Sequence, residues 1–335
     1  MKKTAKTLLL TSAIVTATAA SVGALYKKTV KELMKLALDR EEPRALQRDK
    51  GKLTGGGDNA TALSEAINTV MQAAERLRNS ESETVEITAD DGIRLIGHFR
   101  PAKEPKRVIV AMHGWRSSWA QDFGAISDFW YDNGCSVLYA EQRGQGESGG
   151  DYMGFGLLER HDCLAWIRWA DERTGGALPI YPVGISMGAT TVLMTAGFED
   201  LPASVRGIGA DCGFTSPHAI WKHVVENNLH IPYGLYSAGA RDICKKKLQL
   251  SPDAYSCTDA LAACRVPVLF IHGTDDHFVP IEMTYENYKA CAAPKQLFVV
   301  PGAEHGMSYL VDREGYEAAT RNFWAACESR ECEKE

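Results

Sequence analysis

No two cysteines in this sequence stand in a CxxC spacing, and no long block of basic residues interrupts it. The first absence speaks against a zinc site or a dithiol redox pair. The second, together with a net charge of −6, gives no reason to expect nucleic acid as a partner. The nine cysteines are odd in number and scattered, several within apolar runs where cysteine behaves as a small buried hydrophobe. A disulfide framework is therefore not suggested, and a reducing or anaerobic setting is the simplest reading. Hydrophobic content of 45% and charged content of 24% are those of an ordinary globular chain. Its 335 residues exceed the usual single-domain size, but α/β folds of about 250 residues are common as one domain. No residue set calls for a cofactor, and His218 and His223 have the wrong spacing for a shared metal.

What is present begins with Lys2, Lys3 and Lys6, followed by an uncharged run from Thr7 to Tyr26. A helix of about 20 residues spans about 30 Å, enough for a bilayer core. Ala17-Thr18-Ala19 offers a cleavage site, so residues 1–26 read equally as a signal peptide or a retained membrane anchor. The expectation is a membrane-anchored or secreted protein of bacterial type. Lysines on both flanks leave the side of the membrane open. Residues 27–82 read as a helical extension, with helical spacing over Thr29–Leu38 and Ala60–Leu77 and a Gly-rich connection over Asp49–Asp58. They could pack on the main domain or form a stalk.

From Glu83 the pattern changes. Thr84–Thr88 and Ile93–Phe99 alternate apolar with polar residues around Asp90-Asp91-Gly92, which predicts a hairpin. Val108–Met112 is continuously apolar, as a strand buried on both faces should be. A helix over 119–134 follows, then strand 136–140, helix 156–172, strand 180–183, helix 187–197 and strand 205–210. After an irregular, aromatic-containing insert over about 213–262, strand 266–271, helix 281–292, strand 296–300 and a helix from Arg313 complete the series. Such alternation predicts an α/β domain over 83–330 with a mostly parallel sheet, helices on both faces, and the insert as a lid over the strand C-termini. Pro182 breaks the pattern, since it removes a ladder donor from a strand that should be central.

Gly184-Ile185-Ser186-Met187-Gly188 lies where a strand turns sharply into a helix. That context makes G-x-S-x-G a nucleophile elbow, with the Ser186 hydroxyl exposed at the top of the sheet. A serine hydroxyl needs a base to take its proton and a third group to orient the base. Two strand ends supply such groups. One leads into His272-Gly273-Thr274-Asp275-Asp276-His277, the other into Pro301-Gly302-Ala303-Glu304-His305-Gly306. His277 competes with His305 as base and Asp211 with Asp276 as acid, while His113 and His272, each before a glycine at a strand end, read as structural.

Over roughly residues 83–328 the chain resembles the α/β-hydrolases. The order Ser186, Asp276, His305 matches that family, H-G-x-x-D-x-x-V-P selects Asp276 over Asp275, and G-x-x-H-G contains His305. His113-Gly114-Trp115 resembles the oxyanion loop, and Arg143–Ser148 the R-G-x-G-x-S turn after the fourth strand. The resemblance implies that His305 acts as general base and acid, with Asp276 fixing its tautomer. It also implies that the backbone N–H groups of Met187 and Trp115 bind the oxyanion, each typically worth about 3–4 kcal/mol, while the Trp115 side chain lines the acyl pocket. The function to expect is a serine hydrolase working through an acyl-enzyme, foremost a carboxylesterase on a small-molecule acyl ester. Peptidase, thioesterase or acyltransferase chemistry would use the same triad, and a non-catalytic membrane-tethered scaffold is the alternative from another class.

Overall fold

The computed structural model describes residues 25–41 and 60–329. The run behind the signal-or-anchor expectation lies outside them up to residue 24, as does the expected connection at 49–58. Among the described residues no helix is long and apolar enough to cross a membrane.

Eight strands form one sheet: β1 Glu83–Thr88, β2 Arg94–Arg100, β3 Arg107–Met112, β4 Cys135–Ala140, β5 Ile180–Ile185, β6 Ile208–Asp211, β7 Val268–Gly273 and β8 Lys295–Val300. They lie in the order β1-β2-β4-β3-β5-β6-β7-β8. β1 and β2 pair as the expected antiparallel hairpin, β2 joins β4 antiparallel, and all further pairs are parallel. The continuous apolar strands follow from cover on both faces. In β3, Val108, Val110 and Met112 enter one core while Ile109 and Ala111 enter the other.

The helices are α1 over 25–38, α2 Ala60–Arg78, α3 Trp119–Phe123, α4 Ser127–Asp132, α5 Glu159–Thr174, α6 Met187–Thr195, α7 Pro217–His223, α8 Ser237–Leu248, α9 Cys257–Ala262, α10 Ile281–Ala290, α11 Ser308–Val311 and α12 Arg313–Ser329. The single helix expected over 119–134 is two, broken at Gly124. A Cβ there would sit 2.6 Å from the backbone of Ala73, so α2 crosses at backbone contact and displaces the continuing helix. α5 begins at Glu159 rather than 156 because Phe155 and Gly156 have positive φ, which an α-helix does not admit.

Pro182 has a local solution. Ile180 bridges Val205, and regular β5–β6 pairing resumes only at Val183 with Gly209. The missing donor therefore faces an interruption in the ladder. The same interruption explains why β6 starts at Ile208 rather than Val205.

Both N-terminal helices pack on the body of the molecule. Ala74 and Leu77 of α2 enter one core, while Val30, Met34 and Leu38 of α1 join α7, α8 and Met187 in a third apolar cluster. The insert is not uniform. α7 and α8 belong to this cluster at the strand C-termini, whereas Cys257 and Leu261 of α9 pack in the main core.

Candidate active site

Ser186 occupies the turn between β5 and α6 with φ 56° and ψ −117°. A residue with a Cβ is strained there, and the strain persists only where neighbours over-determine it. They do. The Ser186 amide donates to the Asp211 carbonyl at 2.9 Å, and the Ser186 carbonyl accepts from Thr190 N–H at 3.0 Å. A Cβ on Gly188 would lie 1.8 Å from the Met112 carbonyl oxygen, and one on Gly184 2.2 Å from the Gly188 backbone. The two glycines thus let α6 start in backbone contact with β3 and β5.

The loop after β8 carries His305 to Ser186, with Nε2 2.9 Å from Oγ. Its Nδ1 lies 2.6 Å from Asp276 Oδ2, on the loop after β7. Asp276 Oδ1 accepts from the N–H groups of Phe278 at 2.9 Å and Val279 at 2.8 Å. Burial opposes ionisation of Asp276, but hydrogen bonds from His272 and His305 and from the Val279 amide outweigh it. They hold the carboxyl well below the usual carboxylate range. An ionised acceptor on Nδ1 leaves Nε2 free to take the Ser186 proton. Phe278 packs edge-on against the His305 ring at 5.1 Å.

Met187, the first residue of α6, presents an N–H with no acceptor one turn earlier. The loop after β3 comes equally close, for a Cβ on Gly114 would sit 3.4 Å from Ser186 Cβ. That loop is held on both sides of Trp115. Gly114 N–H donates to Asp122 Oδ2 at 2.6 Å, Arg116 N–H donates to Gln145 Oε1 at 2.6 Å, and Arg116 itself has φ 52°. The Trp115 indole N–H donates to the Ala37 carbonyl at 2.9 Å, and the Arg116 guanidinium reaches the carbonyls of Leu36 and Asp39 at 2.8 and 2.6 Å. The carbonyls of Leu36 and Ala37, in the last turn of α1, and of Asp39 just after it are therefore satisfied by the loop beside Ser186.

Neither competing residue makes a side-chain hydrogen bond to the His305 ring, whose partners are Ser186 and Asp276. His277 is exposed and makes contact through its backbone carbonyl. Asp211 is buried at the end of β6, where its carboxylate accepts from Ser308 at 3.2 Å, and burial raises it to about 6. His113 Nε2 accepts from Gln142 N–H at 3.2 Å and Nδ1 faces the Gly114 carbonyl at 2.9 Å, so Nδ1 carries the proton. Burial lowers its pKa and it stays neutral. Arg143 is buried between Asp162 and Asp91 at 2.5–2.7 Å and braces its turn against α5 and the β1–β2 turn.

His272, by contrast, does more than pack. Its Nε2 faces both Asp276 Oδ2 at 3.1 Å and the Val279 carbonyl at 2.9 Å, while Nδ1 meets the Thr284 hydroxyl at 2.6 Å. With two acceptors on Nε2, that nitrogen bears the proton, and His272 donates to the same Asp276 oxygen that His305 Nδ1 faces. Its place four residues before Asp276 is the signal that could have revealed this. Cys212 Sγ, Asp276 and His305 lie within 4.8 Å of one another. Burial pushes the Cys212 thiol well above its ordinary pKa, and the other two are committed to each other, so the donor set does not suit a metal.

A cavity of about 530 Å³ opens on Ser186 and His305. Trp115 lines it, together with Phe123 and Leu310. Ile67, Val70 and Met71 of α2 form another wall, which the sequence reading did not anticipate.

A family model described as Serine aminopeptidase, S33 matches residues 103–215, from the loop before β3 to beyond β6. The esterase Pf2001 of Pyrococcus furiosus superposes with a TM-score of 0.61 at 22% identity, covering 73% of this chain and 91% of that one. The chain has the α/β-hydrolase fold. Two relatives of this chain are the uncharacterized protein YqkD of Bacillus subtilis (strain 168), 29% identical over 68% of this chain and 73% of its own length, and the uncharacterized protein YfhR of Escherichia coli (strain K12), 27% identical over 70% and 76%.

Proposed function

We propose that this α/β-hydrolase is a serine carboxylesterase acting on esters with an apolar acyl group. The observation that carries the reading is the hydrogen-bonded series Ser186–His305–Asp276, at 2.9 and 2.6 Å, at the mouth of the cavity. Ser186 Oγ attacks the ester carbonyl as His305 Nε2 takes its proton, and the oxyanion falls to the Met187 and Trp115 amides. Collapse breaks the C–O bond, and His305 returns the proton to the leaving alcohol. Water then repeats the sequence on the Ser186 acyl ester and releases the acid.

The walls favour an ester over a peptide N-terminus, the substrate that the matched family's description would suggest. An ammonium group needs a free carboxylate. Asp122 is occupied by Gly114 and Ser117, Asp211 is held toward its neutral form, and Glu304, which also lines the cavity, is exposed to water, where an ion pair contributes little. The test is hydrolysis of p-nitrophenyl esters of graded acyl length, with labelling by a fluorophosphonate. Ser186→Ala is expected to lose ~10³-fold or more in kcat and to take no label. Equal hydrolysis by the variant and the parent would sink the proposal. Faster cleavage of amino-acid p-nitroanilides than of esters would favour the aminopeptidase reading.

A further inference from the structure

A second cavity, of about 570 Å³, lies between α1 and α8 and shares no residue with the catalytic one. Its floor is apolar, from Tyr26, Val30 and Ile243, and its rim is basic, from Lys27, Lys31 and Lys246. The two helices meet closely because α8 has Gly239 at the crossing, where a Cβ would lie 3.0 Å from Val30. Beneath them Met34 and Leu38 pack against Ala240 and Cys244, so the lysines are left to the outer face.

The charge on this face runs against the rest of the chain. α1 has four lysines against Glu32, and α8 has Arg241 and three lysines against Asp242, a net +6 in a protein whose net charge is −6. Some of it is spent internally: Glu32 pairs with Lys35, Asp39 with Lys247, and Asp253 with Arg241. Lys27, Lys28, Lys31, Lys245 and Lys246 carry no ion pair among the described residues. On α1, Lys27, Lys31 and Lys35 recur every four residues and form one stripe. The stripe begins directly after the uncharged run that ends at Tyr26.

We infer that the α1–α8 face docks on an anionic phospholipid bilayer, its lysines at the level of the headgroup phosphates and its apolar floor toward the lipid. A macromolecule with net charge −6 is repelled by such a surface at long range. Within a Debye length of about 8–10 Å the five unpaired lysines outweigh Asp242 and decide, and each lysine near an anionic leaflet strengthens binding about fivefold. The uncharged run connects directly to this face, so a chain held at a bilayer by that run brings these lysines to the headgroups. The inference does not depend on the reaction at Ser186.

The experiment is co-flotation of the full chain with vesicles of phosphatidylcholine alone, or of phosphatidylcholine mixed with phosphatidylglycerol, at low and high salt. The N-terminal run contributes to both vesicle types, so the ratio of the two partition coefficients isolates the lysines. The wild-type chain is expected to prefer the anionic vesicles on the order of a hundredfold at low salt and to lose that preference at high salt. Lys27→Gln/Lys31→Gln/Lys246→Gln should remove most of the preference. Lys103→Gln/Lys106→Gln/Lys289→Gln, equal in charge but on other exposed positions, should keep it. Matching thermal melts by circular dichroism show that both variants fold. Absence of a preference in the wild type, its survival in the first variant, or equal loss in the second overturns the inference. So does self-association that depends on the first three lysines without any vesicle preference, which would assign the face to a second copy of the chain.

Discussion

Asp211 and Asp276 are two buried carboxyl groups close to His305, and their environments drive them in opposite directions. Burial raises Asp211 from 3.8 to about 6, whereas Asp276 is pulled down by its hydrogen bonds. Between roughly pH 4 and pH 6 the folded chain therefore holds a proton on Asp211 that the unfolded chain has already lost. Stability attributable to Asp211 falls as pH rises through that window. Two units at 1.36 kcal/mol each amount to about 3 kcal/mol. Asp211→Asn removes the effect while keeping an oxygen for the Ser308 hydroxyl. The variant should match wild type near pH 4 and exceed it by about 3 kcal/mol near pH 8, about 5 °C in melting temperature for a chain of this size. Scanning calorimetry of both proteins at the two pH values measures the difference directly. Activity supplies the second arm. Asp276→Asn lets His305 adopt the wrong tautomer and should lower kcat by ~10⁴, while Asp211→Asn should stay within about tenfold. Equal stability of Asp211→Asn and wild type at both pH values would refute the burial argument. A loss of activity as large as that of Asp276→Asn would make Asp211 the acid.

Three further outcomes are expected. His272→Gln removes one charge-assisted hydrogen bond from Asp276, worth about 1.5–3 kcal/mol. It should lower kcat about ten- to hundredfold with little change in KM and move the acidic limb of the pH–rate profile upward, whereas a purely structural His272 would leave that limb in place. Met71→Trp fills the cavity wall formed by α2. Its kcat/KM for a long acyl ester should fall about tenfold relative to the acetyl ester, and an unchanged ratio of the two would place the acyl group elsewhere. Cys135, Cys163 and Cys244 are buried thiols pushed up to about 12. They should react with a disulfide reagent only after denaturant is added, and fast labelling of any of them in the native chain would contradict that burial.

The residues of the candidate triad were legible because each stands in a short local pattern whose geometry is set by neighbours in sequence. Ser186 needs only Gly184 and Gly188, and Asp276 needs only the amides two and three residues onward. The hairpin at Asp90–Gly92 and the doubly buried strands were legible for the same reason, since their periodicity is written in consecutive residues. What escaped the sequence is tertiary. Gly124 looks like a tolerable helical residue until α2 is seen crossing it, and Ile67 or Met71 carries no mark of a cavity some 120 residues away in sequence. In the sequence His272 reads as structural, because a histidine before a glycine at a strand end marks close packing. Its link to Asp276 depends on how the loop after β7 folds back on the strand.

The contact between α1 and the loop after β3 has a consequence for how this protein is handled. Trp115 and Arg116 are fastened to the carbonyls of Leu36, Ala37 and Asp39, while the outer side of the same helix is the lysine stripe. One helix of fourteen residues therefore joins a charged outer face to the loop beside Ser186. A shortened version cut after residue 41 would remove that lever and release Trp115 with it. The place to cut is before Leu25, where the lever remains whole.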